Sequence, residues 1–202
     1  HTGNNMDSGS SNVLVGYTAG YYTTGSYNTF VGADAGKGGT TSAPYSSGAW
    51  NTFIGYQAGT GFTTGGANTA IGYQTGDSIT TGANNTLLGT LAGASLTTGG
   101  RNVFLGRSAG ENTIDGSHNV AIGYQAFDAA AGAADGMVAI GVEAMSAYTG
   151  GDLDSSVAIG EYTLNTGTSF YSNTAVGTKA LRYTTGNYNT AIGADAAYNM
   201  TS

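Results

Sequence analysis

A five-residue block recurs along the chain in which polar and apolar positions alternate and the last residue is glycine. It reads N-[TV]-x-[ILV]-G at 12–16, 28–32, 51–55, 68–72, 85–89, 102–106, 119–123, 173–177 and 189–193, and Met137 and Ser156 replace the asparagine at 137–141 and 156–160. The final glycines of these eleven copies lie 16, 23, 17, 17, 17, 17, 18, 19, 17 and 16 residues apart. Position two is valine or threonine in every copy, and position four is aliphatic. Alternate residues of an extended chain share a face, and β-branched residues suit that backbone, so each block predicts a short strand. A helix is disfavoured, because a glycine falls every few residues and each costs about 1 kcal/mol relative to alanine.

The residues between blocks keep the same phase. Three residues after the final glycine stands a small residue, usually alanine (Ala19, Ala35, Ala58, Ala92, Ala109, Ala126, Ala144, Ala180, Ala196). Three residues before the asparagine stands a glycine, often after two threonines, as in Thr63-Thr64-Gly65. Each unit is therefore a strand, a glycine corner, a small-residue segment and a turn. A fixed period of this length marks a stacked repeat architecture. The expected fold is all-β: one parallel β-solenoid domain over residues 1–202, with about eleven coils of ~17 residues stacked at about 4.8 Å into a rod roughly 50 Å long.

Stacking places equivalent residues in ladders. Asn12, Asn28, Asn51, Asn68, Asn85, Asn102, Asn119, Asn173 and Asn189 are expected to hydrogen-bond from coil to coil, as amides do in other in-register stacks. If positions two and four face inward, the core of each coil is thin, and position three is left outside. Leu14, Phe30, Phe53, Leu87 and Phe104 would then form an exposed apolar stripe, the usual mark of an interface, and are the expected oligomer contacts. In later copies position three is alanine, and larger groups (Phe127, Met145, Leu164, Leu181) follow the small residue instead.

Composition narrows the function. Glycine supplies 36 of 202 residues and only 8% are charged, yet 40% are hydrophobic, so the chain has the apolar content that disordered segments lack. Five Lys and Arg residues against a net charge of −7 are too few to neutralise a phosphate track, so nucleic acid is not an expected partner. No apolar run is long enough to span a bilayer, and membrane insertion of this segment is not expected. The start HTGNNMDSGS lacks the basic and apolar regions of a signal peptide, and beginning on His1 points to a processed chain or a fragment. The absence of cysteine removes disulfides and CxxC metal sites.

Candidate chemistry is sparse. The two histidines, His1 and His118, have no evident nucleophile and orienting carboxylate to complete a hydrolytic set. Asp152 and Asp154 lie in an acidic loop with oxygen ligands of the kind Ca²⁺ takes, but solvated charges explain them as well. The glycines form no GxxxxGK[ST] phosphate loop. No catalytic residue, metal site or cofactor is expected, and the chain does not read as an enzyme. The one insertion, between Gly36 and Asn51, carries Lys37, Pro44, Tyr45 and Trp50. Tyr45 and Trp50 are the candidate binding residues, because exposed aromatics offer flat faces to a sugar ring. Trp50 also reads simply as the residue before a block asparagine, like Tyr27 and Tyr188. An ice-binding threonine array is not expected from the Thr-Thr-Gly turns, since adjacent strand residues point to opposite faces.

The blocks NVAIG (119–123), MVAIG (137–141) and SVAIG (156–160), each followed by a small residue, resemble the head repeats of trimeric autotransporter adhesins. The longer unit NTAIGYQTG with its following TTG turn is similar to glycine-rich repeats of phage tail fibres. The resemblance covers essentially the whole chain. It implies a left-handed β-roll assembled as a homotrimer and displayed extracellularly on a virion or bacterial surface, where it would bind a host receptor, glycan or matrix. It transfers no particular binding residue. The expected function is therefore a structural and adhesive rod segment, with a self-stacking extracellular filament subunit as the alternative and an ice- or glycan-binding solenoid as a third reading.

Overall fold

The computed structural model describes residues 8–39, 45–128, 134–148, 153–167 and 171–200. The described residues hold fifteen short strands: β1 (Val13–Val15), β2 (Thr29–Val31), β3 (Thr52–Ile54), β4 (Thr69–Ile71), β5 (Thr86–Leu88), β6 (Val103–Leu105), β7 (Val120–Ile122), β8 (Ala134–Asp135), β9 (Val138–Ile140), β10 (Ala147–Tyr148), β11 (Leu153–Asp154), β12 (Val157–Ile159), β13 (Thr166–Gly167), β14 (Thr174–Val176) and β15 (Thr190–Ile192). Eleven of them, one from each block, form a single parallel sheet in chain order. The protein is a β-solenoid, as the repeat predicts. Its register is the register of the repeat: Thr52 pairs with Thr69, Phe53 with Ala70 and Ile54 with Ile71, and the same positions pair in every neighbouring coil. The longer coils in the second half add two small two-stranded pairs, β8 with β11 and β10 with β13.

Hydrogen bonding continues around the coil. Between β4 and β5, for example, Gly76 N–H donates to Ala92 O at 3.0 Å and Thr80 N–H to Thr97 O at 2.9 Å. Backbone groups in the turns are thus satisfied along the rod axis, as a buried backbone requires. The coil closes on repeated left-handed residues. In the coil of β4 these are Ala67, Gln74 and Gly76, with φ of 57°, 50° and 56°, while Gly72 at the end of the strand has φ of 141°. In all, 26 described residues other than glycine have positive φ, so glycine alone does not mark the corners.

The two faces of the strand are the reverse of the sequence expectation. Position three points into the coil: Phe30, Phe53, Leu87 and Phe104 are fully buried within one chain, and Leu14 packs partly buried against them. Positions two and four point out. Alternation separates two faces without saying which is inside, and the asparagine decides it. Position one shares a face with position three, and the carboxamide finds its partners only inside the coil. The five residues expected at an oligomer interface are therefore core residues.

The core stays filled as its composition changes. Phe30 and Phe53 stack at 5.1 Å between ring centroids, and Phe62 meets both edge-on at 5.4 and 5.5 Å. Four residues after the glycine that ends each of these strands is a second glycine, and a Cβ on Gly110 would press into the Phe104 ring. From β7 onward position three shrinks to alanine, and the glycine's place is taken by Phe127, Met145, Leu164 and Leu181, all buried. These bulky residues sit at φ between 46° and 57°, a conformation costing about 1–2 kcal/mol each, which the filled core offsets.

Candidate functional site: an exposed sheet face between aromatic rows

The outward face of the eleven-stranded sheet carries two columns. Position two supplies threonine or valine, and position four supplies Val15, Val31, Ile54, Ile71, Leu88, Leu105, Ile122, Ile140, Ile159, Val176 and Ile192. Leu88, Ile122 and Ile159 are exposed, and Val15 and Ile192 more so. A continuous aliphatic column along a rod exceeds the scattered apolar exposure usual on a monomer. On one flank, one residue past the strand-ending glycine, stand Tyr17, Tyr56, Tyr73 and Tyr124; Tyr56 and Tyr73 stack at 5.6 Å. Beside them Gln74 Nε2 donates to Gln57 Oε1 at 2.9 Å. On the other flank is the residue before each asparagine, where Tyr27 and Trp50 stack at 5.9 Å with rings 2° from parallel.

The asparagines serve the interior. Asn28, Asn51, Asn68, Asn85, Asn102, Asn119 and Asn173 are buried, while Asn12 and Asn189 are partly so. Each of the central side chains bonds the next coil twice. Asn68 Oδ1 accepts from Asn85 N–H at 3.0 Å, and Asn68 Nδ2 donates to Gly82 O at 2.8 Å. Amide-to-amide bonds link Asn51, Asn68, Asn85 and Asn102 at 3.1–3.2 Å. Where serine replaces asparagine, Ser156 Oγ still accepts from Asn173 N–H at 3.1 Å. This row is structural and presents nothing to a ligand.

Tyr45 and Trp50 do not form one platform. Tyr45 stacks on Tyr22 at 6.1 Å, and Trp50 stacks on Tyr27. Pro44 and the rest of the insertion at 40–44 lie outside the described residues, as does Asp152, and the side chain of Asp154 is likewise not described. Among the described residues no three His, Cys, Asp or Glu cluster to hold a metal, and no helix is long and apolar enough to cross a membrane. His118 is exposed and meets Arg101, with Nε2 3.4 Å from Nη1.

One carboxylate is strained. Asp128 is half-buried, and that burial, reinforced by Glu111 and more weakly by Glu143, pushes its pKa up to about 6, against hydrogen bonds from Gln125 and Asn112. A raised folded-state pKa favours the fold below the unfolded value, and that advantage is lost as pH rises through 6. Asp128→Asn is therefore expected to stabilise the protein at pH 7–8 by about 1 kcal/mol after allowance for solvent screening. That corresponds to about 2–4 °C in melting temperature. Thermal melts should show the gain at pH 7.5 and none at pH 3.5; a gain of equal size at both would refute the electrostatic cause.

No family model, no curated protein and no solved structure matches the chain.

Proposed function

We propose that the chain is a non-catalytic rod segment of a homotrimeric extracellular fibre, in which the outward sheet face is the assembly surface and the flanks remain free for adhesion to a host or other surface. The observation that carries this reading is the outward aliphatic column at position four, exposed at Val15, Leu88, Ile122, Ile159 and Ile192 and half-buried at the rungs between them. Copies of the same chain are its natural occupants, because the column repeats at the same coil spacing on each and can interdigitate rung by rung. Coil-to-coil hydrogen bonding among the described residues and low charge suit a stiff, protease-resistant rod. The number three is supported by the resemblance of NVAIG, MVAIG and SVAIG to adhesin heads.

Light scattering coupled to size exclusion tests the assembly. The expected mass is three chains of 20.1 kDa, and the double variant Ile71→Lys/Leu88→Lys should run as a monomer with an unchanged far-ultraviolet circular dichroism spectrum. A monodisperse wild-type monomer would refute it. Large species that grow with concentration would favour the filament instead.

A second reading draws on the outward threonines. Thr29, Thr52, Thr69 and Thr86 stand in register at position two, beside the aliphatic column. This regular hydroxyl and methyl array, which the Thr-Thr-Gly turns do not supply, would suit an ice surface. Thermal hysteresis in the wild type that disappears in Thr52→Lys/Thr69→Lys would favour it.

A further inference from the structure

We propose that the corner row running from Trp50 to Arg101 is a binding notch for an acidic oligosaccharide, with one sugar ring stacked on Trp50 and a sugar carboxylate held by Arg101. The inference rests on the adhesive part of the reading above and names the class of ligand for one flank.

The row is made by the residue before each block asparagine. Trp50, Ala67, Asn84, Arg101 and His118 occupy it in successive coils, each at φ between 57° and 61°, so their side chains leave the same corner. Tyr27 covers one face of the Trp50 ring. The next rung on the other side offers only the methyl group of Ala67, and Trp50 remains 66% exposed. An aromatic plane with one face braced and the other open across a small residue is a ready platform for the apolar face of a pyranose. Rungs about 4.8 Å apart leave a full rung free for the ring before Asn84 is reached.

Beyond Ala67 the row turns polar. Asn84 offers an exposed amide, and then a hollow of about 230 Å³ opens, lined among others by Thr81, Asn84, Thr98, Arg101 and Ser117. Ser117 Oγ accepts from Gly100 N–H at 3.1 Å, which leaves its own proton to donate outward. Hydroxyls and amides grouped around a cation match sugar hydroxyls around a carboxylate. Among the described residues Arg101 has no carboxylate within 4 Å; its guanidinium is steadied by His118 alone. A planar guanidinium presents paired donors that fit a carboxylate.

Charge selects the ligand further. The chain carries −7 overall, so a densely sulfated polymer would be repelled along most of the rod. A chain with one carboxylate per sugar can meet Arg101, the cation that stands in the same corner row as Trp50, and a neutral glycan leaves that cation unused.

Trp50 is the sole tryptophan, so its fluorescence reports on the site directly. The assembled protein should be titrated with tetragalacturonate, with maltotetraose as the neutral control and the mass recorded by light scattering in the same buffer. The expected result is a saturable change in Trp50 emission with the acidic sugar, weaker at high salt. Arg101→Gln should weaken that binding about tenfold, as loss of a hydrogen bond to a charged group predicts. Trp50→Ala, followed by calorimetry, should abolish it. No response to the acidic sugar at millimolar concentration would overturn the proposal, and so would equal responses in wild type and Arg101→Gln or to both sugars. Binding by a protein of monomeric mass would leave the notch standing while refuting the trimer, and a trimer that ignores both sugars would do the reverse.

Discussion

Replacing Gly72 by alanine is expected to destabilise the rod by more than about 4 kcal/mol, a loss few single substitutions reach. Gly72 ends β4 at φ +141°, and a Cβ there would lie 2.6 Å from the carbonyl oxygen of Gly89 and 2.8 Å from its carbonyl carbon. Thr75 Oγ1, also 2.6 Å away, could rotate aside, but the two Gly89 atoms are backbone held by the next coil, so no side-chain rotation relieves the whole overlap. The only escape is to lift one coil off another, which breaks the strand bonds on that side. Gly136→Ala is the control: its φ is +71°, but the nearest atom to a new Cβ is Ser155 Oγ at 3.4 Å. That position corresponds to corners where Ser11, Ala67 and Arg101 already adopt left-handed φ, so its cost is about 1–2 kcal/mol. Urea unfolding followed by circular dichroism, with amide exchange to locate the opening, distinguishes the two. A cost for Gly72→Ala no greater than for Gly136→Ala would refute the close-approach account. In a stacked repeat the defect should first appear at the β4–β5 junction, because each coil touches only its neighbours.

Much of the fold was legible because the repeat writes the same instruction eleven times. Spacing and alternation alone placed each main-sheet strand and its register. The direction of the faces was not legible from alternation, since threonine and valine at position two are no more inward than phenylalanine at position three. The clue lay in Asn28, Asn51 and their equivalents: a buried amide must find partners, and the turn carbonyls of Gly48 and Gly65 are where it finds them. The second-half swap, alanine at position three with Phe127 or Leu164 in the glycine's place, is visible as a pattern, but that it keeps the core filled follows only once the inward face is known.

The candidate site was only partly legible. Trp50 stood out as the sole tryptophan, but its pairing with Tyr45 rested on nearness in sequence, whereas a solenoid groups residues one period apart. Reading the chain at the offset just before each asparagine brings Tyr27, Trp50, Ala67, Asn84, Arg101 and His118 into one line, and the open rung at Ala67 then becomes apparent. The hollow beside Arg101 draws on residues of successive coils, so no contiguous motif announces it.

The second large effect belongs to the asparagine ladder. Asn85 is buried; its Nδ2 donates to Asn68 Oδ1 at 3.1 Å and Gly99 O at 3.0 Å, and its Oδ1 accepts from Asn102 N–H and Nδ2 at 3.0 and 3.1 Å. Asn85→Ala strands Asn102 N–H and Gly99 O without partners, each worth about 1–3 kcal/mol, so a total loss of about 3–5 kcal/mol is expected once the small cavity is included. Truncation alone would not separate lost hydrogen bonds from lost packing, but Asn85→Asp does, because it keeps the shape. An ionised carboxylate there faces two oxygens it cannot donate to, and burial opposes its charge, so its folded-state pKa must rise. Stability of Asn85→Asp relative to wild type should therefore fall as pH rises through that raised value and recover in acid, where a protonated carboxyl can again donate to Gly99 O. Denaturation of both proteins at pH 4 and pH 7 measures this. A deficit that stays the same at both pH values would mean that packing, rather than the donor to Gly99 O, is what the ladder supplies.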